Sequence, residues 1–370
     1  MGQHDNGNVS GSTTDFVTIA ELIEHAQSFD PSVSGRTLEH WRAKHLLPPA
    51  VRVGYQGRSP VWGSAKRAVP QLERLLVLRK TTDSVDVLLV CLWWEGYLVE
   101  PRFAKEALVR VLRHAQSEIE KEFAKRRQLV GSDEEAVKQL AEKFAGLRKG
   151  NGLPRLRRQT KADREVAAEA VMRLAFGLTI SDDELQDAQP KIDRLLGLDQ
   201  MPWRQASAAD SSDVEETALS GFAQVGSIQT LIAVAKSATD EELLEVQTLG
   251  RMFFGGIVTL SRLHDFMAGR ANSAGTTVLQ AFENEPSVAI MLVPLIISMR
   301  RQPENAASFA TILQTIESDV LGVQQRLLEL SRDAAAADEW VSQMPFGRQA
   351  LARELLANER KRIEMGAARE

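Results

Sequence analysis

"SVSGRTLEHWRAKHLLPP", residues 32–49, is the stretch that decides the fold of the N-terminal part of the chain. Ser34 is a typical N-cap residue, because its hydroxyl can accept hydrogen bonds from the free amides of a first helical turn. Leu38 and Trp41 are three residues apart, which predicts a buried stripe along one side of a helix. The two prolines at the end of the stretch predict a stop, since proline lacks the amide hydrogen that a helix requires. The stretch therefore predicts a helix over 34–46.

The polar residues of this helix are predicted to lie on the side opposite the apolar stripe. They are Arg36, Thr37, His40 and Lys44. A shorter helix is predicted before it, over 19–27, because Thr18 and Glu21 have the spacing of a capping box and "SFDPSV" is unsuited to continue a helix. The order helix, turn, helix, with polar residues at the start of the second helix, is the geometry that presents a recognition helix to the major groove of DNA.

The segment that follows, "VRVGYQGRSPVWG" (51–63), has the pattern of a short β-hairpin. Glycines stand between β-branched and aromatic residues, which predicts two strands over 51–62 with a glycine-containing tip at "YQGR". Arg52, Tyr55 and Arg58 are expected to project from this wing. A wing beside a recognition helix commonly contacts the phosphate backbone. Two further helices, in "VPQLERLLVLRK" and "DVLLVCLWWEGYLVE", are expected to pack against this unit.

Beyond residue 100 the sequence predicts helices almost to its end. Apolar residues recur every three or four positions over 102–128, which predicts one long helix, and "RKGNGLPRLRRQT" (148–160) predicts a break. The expected fold class is mainly α: a winged helix-turn-helix domain, a long linking helix and an all-α C-terminal domain. The expected parts are a disordered arm at 1–15, a DNA-binding domain at 16–100, linking or dimerisation helices at 101–150 and a helical domain at 151–370.

Charge is distributed unevenly along the 370 residues, whose formal net charge is −5. Residues 36–80 hold ten Lys and Arg against two acids, which gives +8, whereas 181–250 hold fourteen acids against four bases, which gives −10. A basic block in an acidic chain indicates that one region, rather than the whole protein, contacts a polyanion.

The single cysteine, Cys91, excludes an intrachain disulfide and a multi-cysteine metal site, and its apolar surroundings predict a buried thiol. Neither a metal nor a cofactor is expected. The polar N-terminal segment has no apolar core typical of a signal peptide, and the most apolar run (288–299) is too short to cross a bilayer, which needs roughly 20 residues. We expect a buried core helix there, no membrane partner, and a cytoplasmic, nucleoid-associated protein.

The N-terminal region resembles the MerR family of winged helix-turn-helix regulators. The resemblance covers about 16–100 and rests on "VTIAELIEHA", "VSGRTLEHWRAKHLLPP", the glycine-bearing wing, "QLERLLVLRK" and "LWWEGYLVE". The Arg-Thr-Leu run at 36–38 matches the opening of the family's recognition helix, and Trp62 matches the last aromatic position of the wing. The resemblance implies base or phosphate contacts at the start of this helix and backbone contacts on the wing. The candidate DNA-binding residues are Ser34, Arg36, Thr37, His40, Lys44, Arg52, Tyr55 and Arg58.

The sequence departs from the family pattern at three points. The turn "QSFDPSV" is longer than usual, which leaves the angle between the two helices open. Glu39 occupies a position that is often basic; it would either accept a hydrogen bond from cytosine N4 or point away from the DNA. Members that sense metals or redox state use clustered cysteines, so sensing of that kind is not carried over to a chain with Cys91 alone.

The sequence predicts a sequence-specific DNA-binding transcriptional regulator that is not an enzyme. It is expected to act as a homodimer, since two half-sites need two heads, and to respond to an unidentified small-molecule or protein effector. One alternative is a structural, recombination or partition factor that uses the same head. A less favoured alternative is an enzyme delivered to DNA, for which the only hint is the His-Asp pair in "LHDF" (263–266). The simplest alternative is that the basic helix is an ordinary solvated surface.

Overall fold

The computed structural model describes residues 16–56, 58–146, 160–178, 180–196, 227–267, 286–302, 325–330, 332–344 and 346–367. The described chain is mainly helical, as predicted, and has one three-stranded sheet. It divides into two compact units; one comprises the described residues up to Ala104 together with 365–367, and the other runs from Lys105 to Glu364.

Helix α1 spans Ile19–Phe29 and begins with the predicted capping box. The Thr18 hydroxyl accepts from the Glu21 amide at 3.3 Å, and the Thr18 amide donates to the Glu21 carboxylate at 2.8 Å. The helix runs two residues beyond the predicted end at 27. It stops at Asp30, whose extended backbone (φ −145°, ψ 102°) is the conformation that a following proline imposes. Within the "SFDPSV" segment that was predicted to end the helix, the break is therefore set by Pro31.

Helix α2 spans Gly35–Ala43, so the predicted N-terminus is confirmed and the predicted end at 46 is wrong. His45 adopts a left-handed backbone conformation with φ 58°. The His45 and Leu46 amides donate to the carbonyls of Arg42 and Trp41, both at 2.9 Å, which is the Schellman pattern of helix termination. This turn ends α2 before the two prolines are reached. The His45 ring then stacks on Phe103, with ring centres 3.5 Å apart.

The sheet contains β1 (Phe16–Thr18), β2 (Val51–Gln56) and β3 (Ser59–Ala65) in the order β1-β3-β2, with both pairs antiparallel. The predicted hairpin is present, but β3 extends to Ala65 and β1 was not predicted. Three residues of "FVT" carry too little pattern to indicate a strand. They become one because β3 offers a backbone partner 45 to 49 residues further along the chain, a long-range effect that local propensity does not contain.

Two helices, α3 (Ala68–Leu78) and α4 (Val85–Trp94), complete the core of the first unit. Trp41 is 4% exposed and Cys91 is 3% exposed, which confirms the predicted core tryptophan and buried free thiol. The Arg74 guanidinium binds both carboxylate oxygens of Glu95 at 2.6–3.0 Å and so ties α3 to the end of α4. Other fully buried side chains of this core are Leu22, Leu38, Leu72, Leu75, Leu88, Leu92 and Trp93.

Past β3 the described residues are helices and connections. The long predicted helix is confirmed as α5 (Pro101–Val130). It is followed by α6 (Asp133–Gly146), α7 (Lys161–Ala175), α8 (Asp182–Leu196), α9 (Ile228–Ser237), α10 (Asp240–Met267), α11 (Pro286–Arg301), α12 (Ala334–Ser342) and α13 (Phe346–Ala367). Helix α7 packs between α6 and α8, and α11 packs against α9 and α10.

The apolar run at 288–299 lies in α11, where Val293 and Ile297 are buried, so the predicted core helix is confirmed. None of the helices in the described ranges has the length and apolar character needed to cross a membrane. The predicted capping box at Thr239 and Glu242 is also present, with bonds of 2.8 and 3.1 Å.

Gly63 lies in the central strand, β3, where it pairs with Thr18 of β1 and Val51 of β2, and it has no room for a side chain. A Cβ there would lie 2.8 Å from the Val17 carbonyl oxygen and 2.9 Å from a Val53 methyl. We expect Gly63→Ala to lower the free energy of unfolding of the first unit by about 1–3 kcal/mol, because the strands must separate to admit the methyl group.

Urea unfolding followed by tryptophan fluorescence tests this, with Gly54→Ala as the matched control. A Cβ on Gly54, in the neighbouring strand, would meet nothing within 4 Å. Equal stability of the two variants would contradict the close approach at Gly63.

In the second unit, Glu242 is held by Arg301. The Arg301 guanidinium donates to both Glu242 carboxylate oxygens at 2.8 and 2.9 Å and to the Ser237 hydroxyl at 2.8 Å. These bonds from Arg301, assisted by Thr239, lower the pKa of Glu242 to about 2.

We expect this pair to stabilise the unit by about 1 kcal/mol at pH 6, because partly exposed pairs are screened by solvent. A depressed carboxylate pKa stabilises the folded state above the unfolded-state value near 4.5, and the contribution is lost as the pH falls towards 2. Urea unfolding of Glu242→Gln between pH 2.5 and 7 should therefore converge with the wild type at low pH. Glu241→Gln, at the exposed neighbouring position, should show no such convergence; a pH-independent loss in Glu242→Gln would refute the assignment.

Candidate functional site

Helix α2 has one buried side and one exposed side. Leu38 is fully buried and Trp41 almost so, whereas Arg36, His40 and Lys44 are exposed, as the sequence predicted. Glu39 is also exposed. The helix is therefore held by its apolar stripe and presents three cationic or imidazole side chains and one carboxylate to solvent.

A buried amide fixes the chain where α2 ends. The Gln71 side chain, which has no exposed surface, donates from Nε2 to the Leu46 carbonyl at 2.8 Å. Its Oε1 accepts from the Leu98 amide at 3.1 Å. One side chain of α3 thus satisfies a backbone group that follows α2 and another that follows α4, so the exit of α2 is pinned to the core.

Arg42 holds α2 against the sheet. Its Nη2 donates to the hydroxyl of Ser64, a residue of β3 that is 1% exposed, at 3.0 Å. Burial lowers the pKa of Arg42, since desolvation disfavours the charged form, and the nearby Glu39 carboxylate opposes this shift. Arg42 belongs to the basic block by count, but its side chain is engaged inside the protein.

Ser34 and Thr37 form a capping box at the start of α2. The Ser34 hydroxyl accepts from the Thr37 amide at 3.3 Å, and the Thr37 hydroxyl accepts from the Ser34 amide at 3.3 Å. The two hydroxyls lie 3.0 Å apart. Both side chains therefore organise the first turn of the helix, and their contact with DNA stays a prediction.

The turn between α1 and α2 is closed by its own hydrogen bonds. The Asp30 carboxylate accepts from the Ser32 hydroxyl at 2.7 Å and from the Ser32 amide at 3.0 Å. These bonds, with smaller contributions from the charges of Arg79 and Lys80, hold the pKa of Asp30 below its ordinary value. The unusual length of this turn is thus accommodated by an internal Asp-Ser motif.

Hairpin β2–β3 carries a row of exposed side chains on one face. Arg52 pairs with Trp62 across the strands and Tyr55 pairs with Pro60, while a bulge between Arg52 and Gly54 keeps Arg52 and Tyr55 on the same side. The Arg52 guanidinium lies 5.2 Å from the centre of the Tyr55 ring. Tyr55 is 61% exposed and Trp62 is 50% exposed.

Ser64 lies two residues from Trp62 and so belongs to the same face of β3. Arg42 of α2 binds Ser64, so α2 is anchored on this face of the sheet. The exposed row of the hairpin therefore lies on the same face of the sheet as α2. The predicted wing residues Arg52 and Tyr55 are thus on the α2 side, and Arg58 is exposed in the turn between the strands.

The cations of the basic block differ in their surroundings. Arg42 and Arg74 are bonded within the protein. Within the part of the chain that the structure describes, four of the predicted DNA-binding residues have neither a side-chain hydrogen bond nor an ion pair; they are Arg36, His40, Lys44 and Arg58. Exposed cations with free donors are the ones available to an anionic partner.

An open groove of about 570 Å³ runs beside the exposed side of α2. It brings together four of the predicted residues, Ser34, Arg36, Thr37 and His40, whereas the other four do not line it. Its remaining lining residues are Trp41, Leu46, Arg79, Asp83, Val85 and Leu88.

The sequence did not single out Arg79, although this residue is in the basic block. Its only signal was its place at the end of the "QLERLLVLRK" helix, where a C-terminal cation is commonplace.

Comparisons of the chain with protein-family models, with curated proteins and with solved structures gave no match. In the described ranges there is also no group of three or more His, Cys, Asp or Glu side chains that could hold a metal ion. The side chain of the predicted His264 lies outside the described set, and Asp265 beside it is buried. The residues themselves are thus the basis for any functional proposal.

The Gln71 bridge predicts a measurable cost when it is removed. Gln71→Leu leaves the Leu46 carbonyl and the Leu98 amide buried without their partner, and each lost partner costs about 1–3 kcal/mol. We expect the urea midpoint of the first unit to fall sharply. Gln116→Leu is the control, since the Gln116 amide bonds to the exposed Glu120 side chain. A stability of Gln71→Leu equal to that of this control would show that the bridge is dispensable.

Proposed function

We propose that this protein is a sequence-specific DNA-binding transcriptional regulator whose N-terminal unit is a MerR-like winged helix-turn-helix head. In this proposal α2 enters the major groove and hairpin β2–β3 is the wing. The observation that carries the proposal is the exposed side of α2, where Arg36, His40 and Lys44 have free donors while the opposite side is locked into the core. Gln71 and Arg42 tie this helix to the core and to the sheet, so its exposed side is presented in a defined orientation.

Helix α2 has dimensions suited to this role. An α-helix with its side chains is about 10–12 Å in diameter, and the major groove of B-DNA is about 12 Å wide and admits such a helix. Arg36, in the first turn, can donate to guanine O6 and N7 or to a phosphate, and Glu39 can accept from cytosine N4. His40 lies further along the helix and Lys44 directly follows its last residue; in the proposal both meet phosphates.

The wing supplies sequence-independent contacts in the proposal. Arg52 and Arg58 are exposed cations on or beside the face that continues from α2, and the Tyr55 hydroxyl adds a neutral donor. Contacts of this kind set the register of a protein on the duplex without reading the bases.

A homodimer is part of the proposal. A single nine-residue helix reads only a few base pairs, and a two-fold dimer places two such helices in half-sites one or more helical turns apart. Helix α5, 30 residues long, is the proposed linking or dimerisation element, and the second unit is the proposed site of an effector.

Selection of bound sequences from a random DNA library with the full-length protein tests the proposed function. We expect a palindromic or pseudo-palindromic site whose half-sites are separated by about 10 base pairs or a multiple. Recovery of sequences with no common motif would contradict sequence-specific recognition. Genome-wide occupancy then separates a regulator, expected at a few promoters, from a structural or partition factor, expected at clustered or broadly spread sites.

The proposed roles of Arg36 and Arg58 predict different losses. Arg36→Ala should weaken binding to the selected site by about 1–3 kcal/mol and relax specificity at one base position. Arg58→Ala should weaken selected and random duplexes equally. If about six phosphates are contacted, a plot of log affinity against log salt should have a slope near −5 for the wild type, and Arg58→Ala should reduce its magnitude by about 1.

Fluorescence anisotropy between 50 and 200 mM salt measures these quantities. Lys121→Ala, which removes an exposed cation paired with Glu118 in α5, controls for the change in net charge. Binding that does not depend on salt, or losses of DNA affinity no larger than that of the control variant, would contradict the proposed interface.

A further inference from the structure

His45 is an unusual residue for its place in the backbone. It follows Lys44, the C-cap residue of α2, and adopts the left-handed conformation with φ 58°. Glycine is the common residue at this position of a helix end, because a Cβ crowds the backbone there. Among the residues that the structure describes, the others with positive φ are glycines. The chain thus keeps a histidine where glycine would be less strained, so the ring is expected to make a contact that offsets the strain.

The His45 ring lies flat on the ring of Phe103. The ring centres are 3.5 Å apart and the two planes are inclined by 13°. Phe103 lies in the first turn of α5 and belongs to the same compact unit as His45. The Arg102 guanidinium also lies against the Phe103 ring, 4.5 Å from its centre. The stack therefore connects the end of α2 to the beginning of α5.

The left-handed turn and the ring contact depend on each other. The backbone conformation of His45 sets the direction of its Cα–Cβ bond and so determines where the ring can reach. In a right-handed conformation the helix would continue and carry this side chain to a different side. Glycine would keep the turn and lose the ring, so a glycine substitution separates the two roles by experiment.

The neighbours of His45 link it to the proposed DNA interface and to the core. Lys44, one of the proposed phosphate contacts, directly precedes it. The Leu46 carbonyl, which follows it, accepts from the buried Gln71 amide at 2.8 Å. The exit of α2 is therefore attached to α3 through Gln71 and to α5 through the His45 ring. A tilt of α2 away from α5 would separate the stacked rings.

We infer that His45 is a positioning residue: its stack on Phe103 sets the angle between α2 and α5, and thereby the half-site spacing that the protein accepts. The inference rests on the proposed function, in which α5 links two heads. A tilt in each head would change the distance between the two recognition helices of such a dimer. Half-site spacing is a geometric property of the dimer, so a firm angle should give a narrow range of spacings. In this role the ring acts through the backbone and touches no base.

The test uses the full-length protein and three duplexes: the selected site, the same site with one base pair inserted between its half-sites, and a single half-site. One inserted base pair moves the half-sites apart by about 3.4 Å and rotates them by about 35° around the DNA axis. The wild type should bind the duplex with the insertion about tenfold more weakly than the selected site, because both heads cannot then dock in their preferred orientation. The single half-site measures the contacts of one head without any spacing requirement.

His45→Gly keeps the left-handed turn and removes the ring. It should bind the single half-site within about twofold of the wild type, because no DNA contact is lost. Its penalty for the inserted base pair should fall from about tenfold to about threefold, since each head can tilt to meet its half-site. Phe103→Leu, which removes the other ring and keeps an apolar side chain, should give the same reduction. The double variant should show no further reduction, because both substitutions break one contact.

Phe29→Leu is the matched control. It also removes a contact between a phenylalanine and a histidine of the first unit, since the Phe29 and His25 ring centres are 5.4 Å apart. Phe29 is at the end of α1 and 51% exposed, so this variant should keep the wild-type penalty. Thermal unfolding reports whether each variant is folded, and His45→Gly decides the matter even if Phe103→Leu unfolds the head, because glycine suits the left-handed position.

The inference is overturned if His45→Gly keeps the wild-type penalty for the inserted base pair, or if Phe29→Leu relaxes this penalty equally. It is also overturned if the wild type binds both spacings alike, if the selected site contains a single half-site, or if His45→Gly loses affinity equally for all three duplexes. Failure of the proposed function gives a different result, because the wild type would then select no common sequence, and that result would overturn both.

Discussion

The position of α2 depends on the buried amide of Gln71, which bonds to the Leu46 carbonyl on one side and to the Leu98 amide on the other. Both backbone groups lie outside regular helix, where no neighbour in the chain would satisfy them. A buried amide with two partners adds stability, and the same amide without them would cost several kcal/mol. The end of α2, the core helix α3 and the segment after α4 are therefore fixed relative to one another. This bridge acts together with the buried Leu38 and Trp41 and with the Arg42–Ser64 bond to hold α2 in place.

Local rules predicted the helix starts well, because a capping box needs only residues three apart. Thr18, Ser34, Thr239 and the residues that follow each of them confirm this. The same rules failed where the deciding contact is remote. β1 exists because β3 pairs with it, and α2 ends early because His45 takes a left-handed conformation and stacks on Phe103. Phe103 is far from His45 in sequence, so the residues near position 45 could not indicate this contact. The two prolines were the only local signal for the end of the helix.

Counting charges identified a basic region but could not separate the side chains that bind inside the protein from those that are exposed. The arginines of the basic block have different environments. Arg42 and Arg74 bind groups inside the protein, whereas Arg36 and Arg58 are exposed and keep their donors free. The difference comes from the partners, Ser64 and Glu95, which lie 22 and 21 residues away in sequence. The candidate site could therefore be predicted as a face of α2 and a hairpin, but the groove with Arg79 required the packing of α3 beside α2.

The hydrogen bond between Arg42 and Ser64 has a consequence for the shape of any duplex that binds to both α2 and the hairpin. It ties the helix to the sheet, so a change in the distance from the helix to the hairpin would have to break this buried bond. The duplex must then adjust its groove width and curvature to meet both elements. Base steps that deform easily would be favoured at positions that no side chain touches, and part of the sequence preference would reside in the mechanics of the DNA itself.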